Sequence, residues 1–256
     1  MRSTTLRGAV AVAVLIPVLT LSSAACSEGG EKGDGGGVSE SGGSGREKPE
    51  SGEGDGDGRE SGPPLTEAQL EKALLKTGEV KGYQAQRNTE DALPPRNTME
   101  PDRPECEAIT DTVDSKPKHK RSAYASGLVM GGDFDSGGAI QQVLLAAYRP
   151  GEAALWLDEL KRALEECRSF LGKAGTGEQA ELEIEPGEAT RLGDESVQFT
   201  MKDAKGRDSP TVFLVVRAGN NTATFMSAGV SGEPVPFARP VVTKQYEKLA
   251  AAGGHP

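Results

Sequence analysis

The stretch VFLVVRAGNNTATFM, from Val212 to Met226, decides the fold of this chain. Its first five residues are apolar without interruption, which is typical of a central strand buried on both faces of a sheet. Gly219-Asn220 then favours a tight hairpin into a second strand that begins at Thr222. The stretch therefore predicts the middle of an antiparallel sheet.

Four segments upstream of this hairpin also have strand patterns, and they comprise residues 122–129, 140–148, 180–184 and 197–201. In the third of them, apolar residues alternate with Glu181, Glu183 and Glu185, so one face of that strand is expected to meet solvent. The first two are separated by GGDFDSGG, residues 131–138, which suits a long hairpin loop.

The first helix has clear boundary signals. Thr66 and Gln69 form a capping box, and Leu65 and Leu70 occupy the hydrophobic-staple positions. Gly78 is the expected stop, because glycine readily adopts the backbone conformation that ends a helix.

Three more helices are expected. A short one begins near Pro104, and the strongest helical periodicity runs from Pro150 to a stop at Gly172. A final helix from residue 237 or 239 to residue 251 completes the order helix, helix, two strands, helix, four strands, helix. This order predicts an α+β fold, in which helices pack on an antiparallel sheet.

Residues 1–25 have the pattern of an export signal, with two arginines before an apolar run over residues 8–21. Small residues then lead to Cys26, as at the cleavage site of a bacterial lipoprotein. We expect the mature protein to begin at Cys26 and to carry a diacylglycerol on its thiol, which anchors it to the outer face of the cell membrane. An unlipidated secretory signal and an uncleaved anchor helix are the alternatives.

Residues 26–63 consist almost entirely of Gly, Ser and charged side chains, and Val38 is the only sizeable apolar residue among them. Such a segment buries too little apolar surface to offset the ordering of the chain, so we expect a disordered tether. A passive spacer is the simpler interpretation, and a tail that binds a basic partner is the other. The folded extracytoplasmic domain is then expected to span residues 64–256.

Cys106 and Cys167 are the two cysteines that remain once Cys26 is assigned to lipid. An even pair in a protein outside the cytoplasm usually forms a disulfide. Both lie at inward-facing positions of predicted helices, so a bond would pin the second helix to the third. Two buried free thiols are the alternative, whereas a reactive redox pair lacks its C-x-x-C motif.

The sequence contains no recognisable catalytic constellation. His119 and His255 are its two histidines; neither belongs to a nucleophile motif, and zinc-ligand spacing is absent. Asp133 and Asp135 lack the ligand series of a calcium loop, so turn chemistry is favoured over a metal. No catalytic residue, metal or cofactor is therefore expected.

Charge also limits the partners. The formal net charge of the chain is −10, and the tether contributes ten acidic against four basic side chains. No basic patch interleaves with aromatic residues, so nucleic acid is not expected as a partner. The one basic run, KPKHKR at residues 116–121, is expected to form a solvated loop.

Four features occur in a familiar order: LTEAQL at residues 65–70, the turn PEC at 104–106, the long helix that ends in Cys167, and RLGD at 191–194 ahead of a strand. Together they resemble the extracellular sensor domain of PknH-type actinobacterial serine/threonine kinases and its stand-alone lipoprotein relatives. The resemblance covers residues 64–252 and implies an antiparallel sheet with flanking helices around a cleft for a small ligand. Those kinase domains carry a second cysteine pair, which this chain lacks, so no binding residue is transferred.

Three functions follow as hypotheses. The leading one is a lipid-anchored, non-enzymatic binding or sensor domain, whose cleft would lie between the sheet and a helix. An envelope scaffold that binds another envelope protein is the alternative, and a hydrolase of unrecognised type is the third. An apolar cavity would favour the first, an exposed apolar patch the second, and a buried cluster of acidic or Ser/His groups the third.

Overall fold

The structure is a computed structural model that describes residues 63–88, 98–131, 139–229 and 233–254. Within those residues the helices are α1 (Glu67–Ala73), α2 (Glu107–Thr110, directly after a 3-10 turn at Pro104–Cys106), α3 (Glu152–Glu166) and α4 (Arg239–Ala252). The strands are β1 (Tyr83–Arg87), β2 (Met99–Pro101), β3 (Ala123–Gly131), β4 (Ala139–Ala147), β5 (Ser169–Ala174), β6 (Gln179–Pro186), β7 (Glu195–Asp203), β8 (Thr211–Ala218) and β9 (Asn221–Gly229).

These nine strands form one antiparallel sheet in the order β1-β3-β4-β9-β8-β7-β6-β5-β2. The predicted hairpin lies in its middle, because β8 is the central strand and β9 is its neighbour. Gly219, at φ 60°, and Asn220 connect the two strands. The prediction of an α+β fold with helices packed on an antiparallel sheet is confirmed.

β8 is buried on both faces because its side chains alternate between two cores. Phe213 and Val215 belong to the core under α2 and α3, whereas Leu214 and Val216 belong to the core under α1 and α4. All four are at most 3% exposed. We refer to these two sides of the sheet as the α3 face and the α4 face.

The α3 face is covered by the predicted amphipathic helix and a disulfide. Trp156, Leu157 and Leu160 of α3 are buried against the sheet. Cys106 and Cys167 are fully buried and form the predicted disulfide, with their Cα atoms 5.7 Å apart. The bond joins the turn before α2 to the residue that follows α3.

The α4 face is covered by the first and last helices. The predicted capping box starts α1, since the Gln69 side-chain oxygen accepts the backbone N–H of Thr66 at 2.9 Å. Leu70 of α1 and Val241 and Leu249 of α4 are fully buried in the same core. The chain therefore places its terminal helices side by side on one face of the sheet.

The predicted stop of α1 at Gly78 is wrong, because the helix ends at Ala73. Its last carbonyls do not need a local cap: the Gln245 side-chain amide donates to Ala73 O at 2.8 Å, and the Lys248 ammonium donates to Leu74 O at 2.7 Å. A tertiary contact thus replaces the glycine stop that the sequence suggested.

The predicted end of the long helix at Gly172 is also wrong. α3 ends at Glu166, and residues 169–174 form β5, which pairs with β6 on one side and β2 on the other. Phe170 is buried and Leu171 is 40% exposed, so this segment follows the two-residue period of a strand. The short strands β1 and β2 were not predicted. Their burial does alternate, with Tyr83 and Ala85 of β1 packed against the core, but strands of five and three residues give too short a pattern to identify.

Several sequence expectations lie outside the described residues. They are the export signal at residues 1–25, Cys26, the tether, Asp133 and Asp135 with their loop, and His255. Among the residues that the structure does describe, no helix is both long and apolar enough to cross a membrane.

Candidate functional site

A cavity of about 440 Å³ lies between the sheet and α4. Its walls are the first turns of α4, strands β7 and β8, and the segment 187–194 that connects β6 to β7. We call this cavity the α4 cleft. It opens at the point where α4 no longer covers the sheet, so strand β7 forms part of its lining.

The segment 187–194 is held firmly against the sheet. Asp194 accepts the backbone N–H of Gly219 at 2.7 Å and forms an ion pair with Arg217 at 3.2 Å. Gly193 has φ 75°, and a Cβ at this position would collide with the backbone oxygen of Arg217 and lie 2.7 Å from Val216. Only glycine therefore fits here, and RLGD at 191–194 is the segment that forms this wall.

The other wall is fixed by Gln245 of α4, which is fully buried. Its side-chain oxygen accepts the N–H of Leu75 at 3.0 Å, and its amide donates to Ala73 O. Lys248, one turn later, also pairs with Glu79 at 2.6 Å. The carboxamide thus joins α4 to the end of α1 and sets the position of the cleft-lining turns.

The floor of the cleft is apolar. Leu214 of β8 and Val242 of α4 are 1% and 3% exposed, and Leu192 and Phe237 complete the lining at either side. Phe237 makes an edge-on contact with Phe225 of β9, with ring centroids 5.9 Å apart. Leu192 and Phe237 are only partly buried, so a ligand in the cleft would remove their remaining apolar surface from water.

The rim of the cleft is polar and carries more positive than negative charge. Its charged residues are Arg191, Arg239 and Glu188. Within the described part of the chain, neither arginine forms a salt bridge or a side-chain hydrogen bond, and both are exposed. The cleft therefore combines an apolar floor with two cations that are free to bind an anionic group.

A larger depression of about 780 Å³ lies beside the segment before α1, the end of β1 and the start of β3. Its polar groups already have partners: Arg87 pairs with Glu71 at 2.7 Å, and Asn88 donates to Ser126 at 2.6 Å. Arg121, which also lines it, donates to two backbone oxygens. This depression offers a ligand fewer free groups than the α4 cleft.

The prediction that residues 116–121 form a solvated loop is wrong for two of them. Lys116, Lys118 and Lys120 are exposed, but His119 is 8% exposed and Arg121 is half-buried. Arg121 donates to the backbone oxygens of residues 111 and 114 at 2.8 and 2.7 Å. The run is therefore the inner edge of a polar cluster and not a free basic loop.

His119 lies between two glutamates of α3. Its Nδ1 is 2.6 Å from Glu152 and its Nε2 is 3.2 Å from Glu159, which also pairs with Lys118 at 2.9 Å. The hydrogen bond to His119 lowers the pKa of Glu152. Burial acts to raise the pKa of Glu159, but its hydrogen bonds to Lys118 and His119 outweigh that effect and lower it.

The pKa values of one carboxyl group and one phenol near this cluster are raised and not lowered. Burial raises the pKa of Asp111 to about 6, although the N–H of Lys118 donates to its carboxylate at 3.1 Å. Burial also raises the pKa of Tyr148. The cluster has the acidic and histidine content that the hydrolase hypothesis requires, but carboxylates occupy both nitrogens of His119, so neither is free to activate a nucleophile.

The remaining residues considered from the sequence lie apart from the cleft. Glu181, Glu183 and Glu185 are exposed on β6, as predicted. Among the described residues, no three His, Cys, Asp or Glu side chains are grouped to hold a metal ion. The large apolar residues exposed in the same part of the chain are Leu155 and Leu171, so no extended apolar patch is found there.

Known proteins are similar to this chain in fold but do not match it in sequence. No family model matches the chain, and no curated protein matches it in sequence. The extracellular domain of PknH from Mycobacterium tuberculosis is similar in structure, with a TM-score of 0.51 and 9% identity, over 75% of this chain and 98% of that domain. An uncharacterized protein from Mycobacterium smegmatis aligns with a TM-score of 0.35 and 12% identity, over 73% of this chain and 95% of its own.

These findings define an α+β domain with a fold similar to that of the extracellular domain of PknH. The resemblance inferred from residues 65–70, 104–106 and 191–194 and from the position of Cys167 is thus confirmed at the level of the fold. At 9% identity this likeness carries the fold alone. The function has to be argued from the chain's own residues.

Proposed function

We propose that this chain is an extracytoplasmic binding domain of sensor type, which holds a small ligand in the α4 cleft and is tied to the cell membrane through lipid on Cys26. The observation that carries the binding function is the cleft itself. Small-molecule sites are concave, mostly apolar and largely pre-formed, and volumes of about 300–1,000 Å³ are usual. The α4 cleft has about 440 Å³, an apolar floor and fixed walls.

The fold supports the same proposal. The extracellular domain of PknH has a similar fold, and the cleft of this chain lies between the sheet and a helix, where a binding site was expected. The disulfide between Cys106 and Cys167 suits an oxidising compartment outside the cytoplasm. These points favour an extracytoplasmic binding domain over the scaffold, for which the described surface offers only two scattered exposed leucines.

The binding function is tested by purifying the protein from its native host and identifying bound small molecules by mass spectrometry. Thr243 lines the cleft on α4 and is half-buried, so Thr243→Trp should fill the cavity, whereas Thr243→Val keeps the volume almost unchanged. We expect a molecule at close to one per chain in the wild type and in Thr243→Val, and its loss in Thr243→Trp. An empty wild-type protein, or a ligand retained by Thr243→Trp, would contradict the proposal.

The anchor is tested separately. Two acyl chains on Cys26 would hold the protein stably in a bilayer, because each buried CH₂ contributes about 0.8 kcal/mol. Intact-mass analysis of the mature protein should show an N-terminal cysteine with acyl chains, and Cys26→Ala should release the protein from membranes or block its maturation. An unmodified N-terminus, or a Cys26→Ala protein still bound to membranes at normal abundance, would remove the anchor and leave the cleft unaffected.

A further inference from the structure

We infer that the ligand of the α4 cleft is an amphipathic anion, in which a carboxylate or phosphate head is joined to a short apolar chain. This inference rests on the proposed binding function and adds the chemical class of the ligand. Its basis is the combination of an apolar floor with an unpaired cationic rim in one cavity.

The apolar part of the ligand follows from the floor. Leu192 and Phe237 line the cavity and are only partly buried, so they offer apolar surface to a ligand, whereas Leu214 and Val242 in the same lining are already 1% and 3% exposed. A purely polar ligand would leave this surface without apolar contacts and would lose solvation on entry. A short alkyl chain gains free energy from the same surface, at about 0.8 kcal/mol for each CH₂ that it buries.

The sign of the head group follows from the rim. Arg191 and Arg239 have no acidic partner within the described residues, whereas Arg87, Arg207 and Arg217 each form an ion pair. Glu188 is the one acidic residue among the lining groups, so the charge at the cleft is net positive. Arginine binds carboxylate and phosphate groups through two parallel charge-assisted N–H donors; a neutral head accepts weaker hydrogen bonds, and an ammonium head accepts none.

The first turn of α4 also favours a negatively charged head group. Ala238 at the N-cap supplies no side-chain hydrogen bond, and no acidic residue lies in the first turn. The positive end of the helix dipole at the cleft is therefore not balanced by a side chain of its own helix. The amide of Gln198, which also lines the cleft, can donate to the head group as a neutral partner.

The test is a calorimetric titration of residues 26–256 with Cys26→Ala, the expected mature chain without its acyl chains, which lacks the apolar export signal and needs no detergent. The probes are octanoate, octyl phosphate, 1-octanol, octylammonium, acetate and inorganic phosphate. We expect octanoate, octyl phosphate or both to bind. Octanol and octylammonium should bind at least tenfold more weakly, and the two head groups without a chain should not bind. The octanoate and octyl phosphate arms distinguish a fatty-acid-like from a phospholipid-like ligand.

Variants of residues that line the cleft test whether the probes bind there. Arg191→Gln and Arg239→Gln should each weaken the anionic probe about tenfold or more, as expected for the loss of a charge-assisted hydrogen bond. Arg168→Gln is the matched control, because Arg168 is exposed and does not line the cleft. Thr243→Trp should abolish binding and Thr243→Val should preserve it.

Three outcomes would overturn the inference. Octanol or octylammonium that binds as tightly as octanoate would exclude an anionic head, and unchanged binding in both arginine variants would exclude the rim. Failure of all six probes would exclude this ligand class. In each case the proposed function stands if a molecule still co-purifies with the wild type and is absent from Thr243→Trp, so the two failures are distinguishable.

Discussion

The two faces of the sheet are closed by different means. On the α3 face, the Cys106–Cys167 disulfide and the ionic cluster around His119 hold the covering helices. On the α4 face, apolar packing and the carboxamide of Gln245 hold α1 and α4 together. The cover of the α4 face ends beside β7, and the α4 cleft opens at that place.

This difference supports the place of the proposed binding site. A disulfide and a buried core close the α3 face over strands β5 to β8, and the buried apolar residues of that core are at most 9% exposed. On the α4 face, Gln198, Leu192 and Phe237 are only partly buried and line the cleft beside the helix. The site thus follows from incomplete cover of the sheet, and the experiments below test each side of this contrast.

The largest expected change in the free energy of unfolding comes from the disulfide on the α3 face. The double variant Cys106→Ala/Cys167→Ala removes a cross-link between residues 61 apart in sequence. The chain-entropy model predicts a loss of about 4 kcal/mol in the free energy of unfolding. Urea unfolding, followed by the fluorescence of Trp156, the single buried tryptophan, measures this loss.

Reduction of the wild type with dithiothreitol is the control for the disulfide, and it should lower the urea midpoint to a similar extent. At low urea the double variant, which keeps Cys26, should still bind the proposed ligand in the α4 cleft. A loss below about 1 kcal/mol would mean that the packing of α2 and α3 alone closes this face.

The strongest expected effect on the α4 face comes from Gln245→Ala. The change leaves the N–H of Leu75 and the carbonyl of Ala73 without partners in a buried place. Each unsatisfied group costs about 1–3 kcal/mol, so we expect a loss of about 3 kcal/mol in the free energy of unfolding. Glu247→Ala, at an exposed position of the same helix, should change it by about 0.5 kcal/mol or less.

Ligand binding gives a second readout for this variant. Because α4 forms one wall of the cleft, Gln245→Ala should also weaken ligand binding, whereas Glu247→Ala should not. A stable Gln245→Ala protein with unchanged ligand affinity would show that apolar packing alone positions α4.

The sequence predicts much of the fold, because the apolar patterns of β3, β4 and β6 to β9 each fit one element only. Prediction from the sequence fails where contacts with distant residues decide the conformation and the local pattern does not. Leu171 continues the helical spacing from Cys167, yet the chain leaves the helix at Cys167 to form the disulfide, and its next residues pair with β6. β1 lies at the edge of the sheet, and the alternation of Tyr83 and Ala85 with Gln84 and Gln86 is too short to identify it from the sequence.

The site is harder to predict than the fold. The cleft combines residues from the β6–β7 connection, β7, β8 and α4, and no spacing in the sequence relates Gln198 to Phe237. Gln245 gives the one available signal, since a polar residue lies between Val242 and Leu249 on the inner face of the predicted last helix. His119 was missed because its two partners are on α3, more than 30 residues away.

A smaller, pH-dependent effect is expected on the α3 face from Asp111. Burial raises its pKa from 3.8 to about 6, so the folded state binds the proton more tightly than the unfolded state. The contribution of this group to stability is therefore greatest below pH 4 and is lost as the pH rises through about 6. Asp111→Asn keeps an acceptor for the N–H of Lys118 and does not titrate.

The measurement is the difference in unfolding free energy between Asp111→Asn and the wild type at several pH values. It should shift in favour of the variant by up to about 3 kcal/mol between pH 4 and pH 7, because each pKa unit corresponds to about 1.4 kcal/mol. Asp158→Asn, on the exposed side of α3, should show no such trend. A pH-independent difference for Asp111→Asn would show that its carboxylate is solvated in the folded protein.

The smallest effect is expected where no described helix covers the sheet. Glu185 of β6 pairs with Lys202 of β7 at 2.6 Å, with 59% and 29% of the side chains exposed. Solvent screens such a pair, so Glu185→Gln should lower the free energy of unfolding by about 0.5 kcal/mol or less, and the difference should vanish in about 1 M NaCl. A loss above about 1 kcal/mol that persists in high salt would mean that this face is desolvated. The contrast between a covered and an open part of the α4 face would then fail, and with it the reason for placing the ligand beside β7.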